Sequence, residues 1–228
     1  MTDSLALYSA RRGLGILGGT FDPVHAGHLC LARAALDAVP LVRVELMPAG
    51  EPWQKSRISP GIHRLNMLRI AVEYEPQCRI NTSELCRSGA TYTIDTVSRL
   101  REEVGPDMPL VLILGSDQWF NLSTWREWQS LTDFVHIAYC ARDGVRESEI
   151  PESQALWAAP RTTEARKLVF SPSGRIARFE MAPHRATAIR RTLAREPFAR
   201  AMSSLDGWLD PGVASYIRTH GLYQPARH

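Results

Sequence analysis

A glycine pair followed by two histidines limits what this chain can fold into. Residues Gly18 to Leu29 read Gly-Gly-Thr-Phe-Asp-Pro-Val-His-Ala-Gly-His-Leu, directly after the apolar run Leu14 to Leu17. Ile16 and Leu17 read as the end of a buried strand, and Gly18 and Gly19 lack the Cβ atoms that would hold a ligand away from the backbone. Pro23 fixes its own φ and keeps Asp22 extended, so a helix cannot begin before it. From His28 onward Leu29, Ala32, Leu36 and Val39 fall at helical spacing, with Arg33 and Asp37 between them. His28 is therefore expected in the first turn of a helix, where unpaired N–H groups and the positive dipole end attract anions. His25 lies three residues earlier and reaches the same place. Two imidazoles beside a helix N-terminus suit phosphate oxygens.

Three other readings of this stretch compete. A His-x-x-His pair can bind a metal, but no third Cys, His or carboxylate stands nearby at ligand spacing. Both histidines could be satisfied structural residues. Gly13, Gly15 and Gly18 also match the dinucleotide-binding Gly-x-Gly-x-x-Gly, with Asp37 downstream. That match is misplaced, because its glycines bracket the strand and no helix opens at Gly18.

Alternating strand and helix patterns predict an α/β, Rossmann-like doubly wound parallel sheet with helices on both faces. Strands are expected at Leu14–Leu17, Val42–Met47, Leu110–Leu114, Val135–Tyr139 and Ile176–Phe179. Helices are expected at His28–Val39, Pro60–Tyr74, Thr93–Glu103, Thr187–Arg195 and Pro211–His220. The polar stretch Arg142 to Gly174 reads as a long excursion carrying little chemistry, with Leu156 and Trp157 as its anchors. At 228 residues the chain is within reach of one domain, 1–228, with 1–12 as an extension and 186–228 as a small C-terminal helical part.

Composition narrows the class. A net charge of +3 with scattered arginines argues against nucleic acid as a partner. No apolar run reaches membrane-spanning length, which argues against a membrane partner, and residues 1–12 lack a signal-peptide core. Cys30, Cys78, Cys86 and Cys140 form no Cys-x-x-Cys, which suggests reduced thiols and a cytoplasmic location.

In such sheets ligands sit beyond the carboxyl ends of the strands, so the polar residues there are the candidates. After Val42–Met47 comes a loop ending in Lys55, either a solvated lysine or a phosphate ligand. Ser88 to Thr96 opens a helix, and Thr93 would serve there as an N-cap. The strand Leu110–Leu114 runs into Gly115 and Asp117, where Asp117 either caps the next turn or meets a sugar hydroxyl. Trp119, Trp125 and Trp128 follow within ten residues, each by default a core residue. Near the C-terminus Thr187 and Arg190 stand at a predicted helix start, where an arginine is unfavourable unless an anion is present.

Together these residues resemble the nucleotidyltransferase superfamily that shares a (T/H)-x-G-H motif with class I aminoacyl-tRNA synthetases. Thr20-Phe-Asp-Pro23 before the first histidine is specific to the bacterial adenylyltransferase branch. From Gly13 to about Tyr223 the chain resembles the bacterial nicotinate-nucleotide adenylyltransferase family in the order and spacing of its motifs. The resemblance implies adenylyl transfer from ATP to nicotinate mononucleotide in NAD biosynthesis, by direct in-line attack. It assigns ATP to Gly18, Gly19, Thr20, Phe21, His25, His28, Lys55, Gly115, Asp117, Thr187 and Arg190, with Mg²⁺ bound to the nucleotide. His25, His28 and Arg190 would carry the catalysis. Tyr92, Thr93, Trp125 and Arg126 would hold the nicotinate mononucleotide, with Trp125 stacked on the pyridine and the Arg126 N–H at its carboxylate. Two positions depart from the family pattern: Gln54 stands where His is usual and Arg185 where Ser is expected.

Overall fold

The computed structural model describes residues 11–52, 58–141, 150–181 and 207–223. Six strands form one parallel sheet: β1 (Gly13–Gly19), β2 (Leu41–Pro48), β4 (Cys78–Ile80), β6 (Leu110–Leu114), β7 (His136–Ala141) and β8 (Ile176–Glu180). Their order is β4-β2-β1-β6-β7-β8. The chain thus winds outward from β1 to one edge, returns, and winds to the other. The order reverses between β1 and β6, which is where parallel sheets open a crevice at their carboxyl ends. A separate two-residue parallel pair, β3 (Glu51–Pro52) and β5 (Ala90–Thr91), joins two loops at that same end.

Strand alternation sorts the core into two layers. Leu17, Val111 and Ile113 join α1 (Ala26–Ala38), α2 (Gly61–Ala71) and α7 (Pro211–Thr219) on one face. Leu14, Ile16, Leu110, Leu112 and Leu114 join α3 (Thr93–Val104) and the short helices α4 (Ser116–Phe120), α5 (Leu131–Phe134) and α6 (Glu152–Ala158) on the other. Both faces are covered, so the central strand β6 is buried at all five positions, as parallel strands must be. Gly13 and Gly15 lie inside β1, and a Cβ on Gly15 would come within 2.9 Å of Leu41. Their spacing serves sheet packing, and the apparent dinucleotide fingerprint has no phosphate turn.

The expected strands are all present, each extended by a residue or more except Leu110–Leu114, which is unchanged, and Val135–Tyr139, which is displaced by one residue to His136 and runs on to Ala141. Three short strands, β3, β4 and β5, carried too few residues to show a period. The helix expected at Pro60–Tyr74 ends at Ala71, and Tyr74 is 85% exposed, so its aromatic ring signalled no core. The stretch Arg142–Gly174 is more structured than expected, with Trp157 buried as the anchor it was read to be. Within its described part, α6 and the 3₁₀ turn Ala165–Phe170 bury Gln154, Trp157, Leu168 and Val169 against the sheet. Leu156, read as an anchor, points to solvent at 69% exposure. The helix expected at Thr187–Arg195 lies outside the described residues.

A candidate nucleotide cleft at the switch point

Helix α1 begins two residues before the expected start, with His25 as its N-cap and His28 at its third position. The turn from β1 runs through Phe21, which takes φ 48° and is fully buried, and through a cis Asp22–Pro23 bond. The Phe21 ring fills the space beside Gly19, where a Cβ would stand 3.3 Å away, and meets the His28 ring edge-on at 4.9 Å. The His25 ring stacks on His28 with centroids 3.7 Å apart. The backbone N–H of His25 donates to Nδ1 of His28 at 3.2 Å. That bond makes Nδ1 an acceptor, so a neutral His28 carries its proton on Nε2 and offers an N–H there. A Cβ on Gly18, by contrast, would meet nothing within 4 Å, leaving the strand end open to a ligand.

An open cleft of about 910 Å³, adjoining solvent included, lies over the carboxyl ends of β1, β2 and β6. Gly18, Gly19 and Thr20 line it on one side, and Tyr92, Thr93, Trp125 and Arg126 on the other. Seven candidate residues separated by up to 108 positions are thus brought to one cavity. Phe21, His25 and His28 follow directly on its glycine wall, behind Thr20, without lining it. Gly115 and Asp117 sit at the end of β6, and Gln118 of the same turn reaches the cleft. Lys55, Thr187 and Arg190, like Gln54 and Arg185, lie outside the described residues.

Local capping differs from expectation. Tyr92 rather than Thr93 is the N-cap of α3, so Thr93 stands in the first turn beside the cleft. Gly115, not Asp117, caps α4, and its N–H donates to Oε1 of Gln118 at 3.2 Å. A Cβ on Gly115 would fall 2.9 Å from the Asp117 carboxylate, so glycine lets that exposed side chain fold back to the strand end. The three tryptophans divide their work. Trp119 is buried and stacks on Tyr139 at 4.2 Å, Trp128 packs edge-on to Trp157, and the half-buried Trp125 forms cleft wall. The Arg126 guanidinium lies over the Tyr92 ring at 5.0 Å, fastening the turn after Trp125 to the start of α3.

Sequence reasoning missed Glu84 and Thr96, which also line the cleft. Thr96 donates its hydroxyl to Glu84 Oε1 at 2.7 Å and accepts from Arg87 at 3.3 Å. Burial pushes the Glu84 carboxyl up, and the Thr96 hydrogen bond opposes it. Thr96, one turn after Thr93, was visible in the helix spacing, whereas Glu84 sits in a turn without any period. Arg64 was missed as well. It occupies the apolar stripe of α2 with Met67 and Leu68, an uncommon place for arginine and thus a readable signal.

Comparison with known proteins decides the ancestry of this arrangement. Residues 16–192 match the cytidylyltransferase-like family model. Probable nicotinate-nucleotide adenylyltransferases of Bordetella petrii and Laribacter hongkongensis are 42% and 37% identical, over 92% and 94% of this chain and 98% and 96% of theirs. The chain belongs to the nicotinate-nucleotide adenylyltransferase family. A solved Plasmodium falciparum nicotinic acid mononucleotide adenylyltransferase, complexed with NaAD, shares the fold with a TM-score of 0.69 at 19% identity, covering 93% of this chain and 97% of that one. Among the described residues no helix is long and apolar enough to cross a membrane.

Proposed function

We propose that this chain transfers the adenylyl group of ATP to nicotinate mononucleotide, releasing pyrophosphate and nicotinate adenine dinucleotide. The carrying observation is the cleft itself, whose two walls differ in chemistry. The Gly18–Thr20 flank, backed by the helix start that bears His25 and His28, suits phosphates, and the Trp125 flank suits a flat ring. The 42% identical Bordetella relative supports the same acceptor.

The chemistry needs no protein nucleophile. A phosphate oxygen of the mononucleotide attacks the α-phosphorus of ATP, the P–O bond to the β-phosphate breaks, and pyrophosphate leaves with the electron pair. Catalysis is then alignment plus stabilisation of charge on the transferring phosphoryl oxygens. His28 donates from Nε2 to the α- and β-phosphates, and His25, stacked on it, holds its plane. Thr93 and the first-turn N–H groups of α3 meet the pyridine carboxylate, which the helix dipole favours. Trp125 stacks on the ring. Lys55, Thr187 and Arg190 are assigned to the triphosphate, and Gly115 and Asp117 to the nucleoside, on resemblance.

Among the described residues no group of three or more His, Cys, Asp or Glu is placed to hold a metal ion. Mg²⁺ is expected to arrive as the ATP complex. When bound it neutralises part of the triphosphate charge. We assign the whole chain to a single small-molecule enzyme unit with no nucleic-acid or membrane partner. Pyrophosphate release is the deciding assay, run with ATP and, in separate reactions, nicotinate mononucleotide, nicotinamide mononucleotide and phosphopantetheine. Release strongest with nicotinate mononucleotide supports the assignment. Silence with every acceptor would overturn the enzyme reading, and a preference for the amide would overturn the acceptor.

A further inference from the structure

Arg64 is 1% exposed, and among the described residues no carboxylate hydrogen-bonds its guanidinium. Its three nitrogens each donate to a main-chain carbonyl: Nε to Ser59 at 2.9 Å, Nη1 to Thr20 at 3.0 Å and Nη2 to Gly50 at 3.1 Å. Burying a cation is costly, and carbonyl dipoles offset the cost only in part. Burial accordingly pulls the guanidinium below its usual range, while the charge of nearby Asp22 opposes this. Met67 and Leu68 show that the stripe of α2 is otherwise apolar, so a methionine at 64 would suit the packing. The charge and the fork must have another use.

The acceptors indicate what it is. Thr20 ends the glycine wall of the cleft, and Gly50 follows Ala49, which lines the cleft from the β2 side. Ser59 closes the set, because its own N–H donates to Asp22 Oδ2 at 3.0 Å and Tyr223 donates its hydroxyl to Asp22 Oδ1. One planar group therefore spans two cleft-lining loops from behind, and its third bond holds Ser59, whose own N–H grips the Asp22 carboxylate in the turn that leads to His25 and His28. Gly50 also lets its loop close on the Glu84 turn, since a Cβ there would lie 2.3 Å from the Glu84 carbonyl oxygen. A lysine offers three donors from one point and cannot match three diverging carbonyls.

We propose that Arg64 is a positioning residue for ATP: its fork sets the spacing of the Thr20 and Gly50 loops, and so the placement of the histidine pair, without touching substrate. The inference rests on the adenylyl-transfer reading. The elements that would hold the pyridine, α3 and the turn at Trp125, receive no bond from Arg64, so the two substrates respond differently to its loss. The test compares Arg64→Lys, Arg64→Met and the wild type by kcat and by KM for each substrate, with melting temperature as the check on folding. We expect kcat/KM for ATP to fall about tenfold or more in both variants while KM for nicotinate mononucleotide stays within about twofold. In Arg64→Ala, guanidinium at millimolar concentration restores ATP use and methylammonium does not, which keeps the test alive if the methionine variant fails to fold. Folded variants with unchanged ATP parameters, equal weakening of both substrates, or rescue by neither cation would overturn the proposal. A wild type that makes no dinucleotide would instead sink the adenylyl-transfer reading on its own.

Discussion

Lowering the pH from 7 to 4.5 acts on one buried imidazole whose role is structural. His136 opens β7 with no exposed surface. Its Nδ1 accepts from the Arg175 N–H at 3.0 Å, and its Nε2 lies 2.8 Å from the Ser171 carbonyl oxygen. Both ring nitrogens are thus committed only in the neutral form, with the proton on Nε2. Burial is the main cause that pulls its pKa from 6.5 down to about 4, and the charges of Arg101 and Arg175 act in the same direction. A base with a depressed folded pKa leaves the unfolded chain binding more protons between those two values, so stability rises with pH across that window. Its contribution is complete above pH 6.5 and lost as pH falls toward 4. The difference amounts to about 3 kcal/mol, of which about 2 kcal/mol is gone by pH 5. That is a large part of a typical total of roughly 5–15 kcal/mol. Urea unfolding of the wild type and His136→Asn at pH 7, 6, 5 and 4.5 tests it. The asparagine retains an acceptor for Arg175 and does not titrate. It loses the Ser171 bond, so at pH 7 the variant is weaker by about 1 kcal/mol or more. Other titrating groups cancel in the comparison, so the gap between the two proteins should close with falling pH. A gap that stays constant from pH 7 to 4.5 would falsify the reasoning.

Three further substitutions examine the cleft. His28→Ala should lower kcat by roughly 10²-fold or more, the scale of a lost transition-state donor, and near-normal turnover in steady-state assays would remove His28 from the mechanism. Trp125→Ala should raise KM for nicotinate mononucleotide about tenfold with little change for ATP, because stacking on an aromatic face is worth about 1–3 kcal/mol per base; equal shifts in both would count against the assigned walls. Gly50→Ala drives a methyl group into the backbone at Glu84, and calorimetry should find it destabilised by about 1–3 kcal/mol, whereas an unchanged melting temperature would mean the loops part easily.

The parts legible in the chain were those whose signal is local and periodic. Leu110–Leu114 was readable because five apolar residues between Pro109 and Gly115 are too short for a helix and fit a strand buried on both faces. The helix start at His28 was readable to within two residues from the spacing of Ala32 and Leu36. Trp125 could be separated from Trp119 and Trp128 only by resemblance, since all three have the same composition signal and differ in what packs against them. Glu84 gave no signal at all, because its environment is made by α3 and the Gly50 loop.

The sequence by itself determined the α/β class, the strand–turn–helix at Gly18–His28, and the order of the motifs, because each depends on residues within a few positions of one another. Only the tertiary structure decided which residues share the cleft, why Phe21 and Gly19 must fit together, and that Arg64 binds three distant carbonyls. The physical reason is that burial and hydrogen-bond partnership are properties of the assembled layers. A fork such as that of Arg64 gains its acceptors only once β1, β2 and α2 have packed.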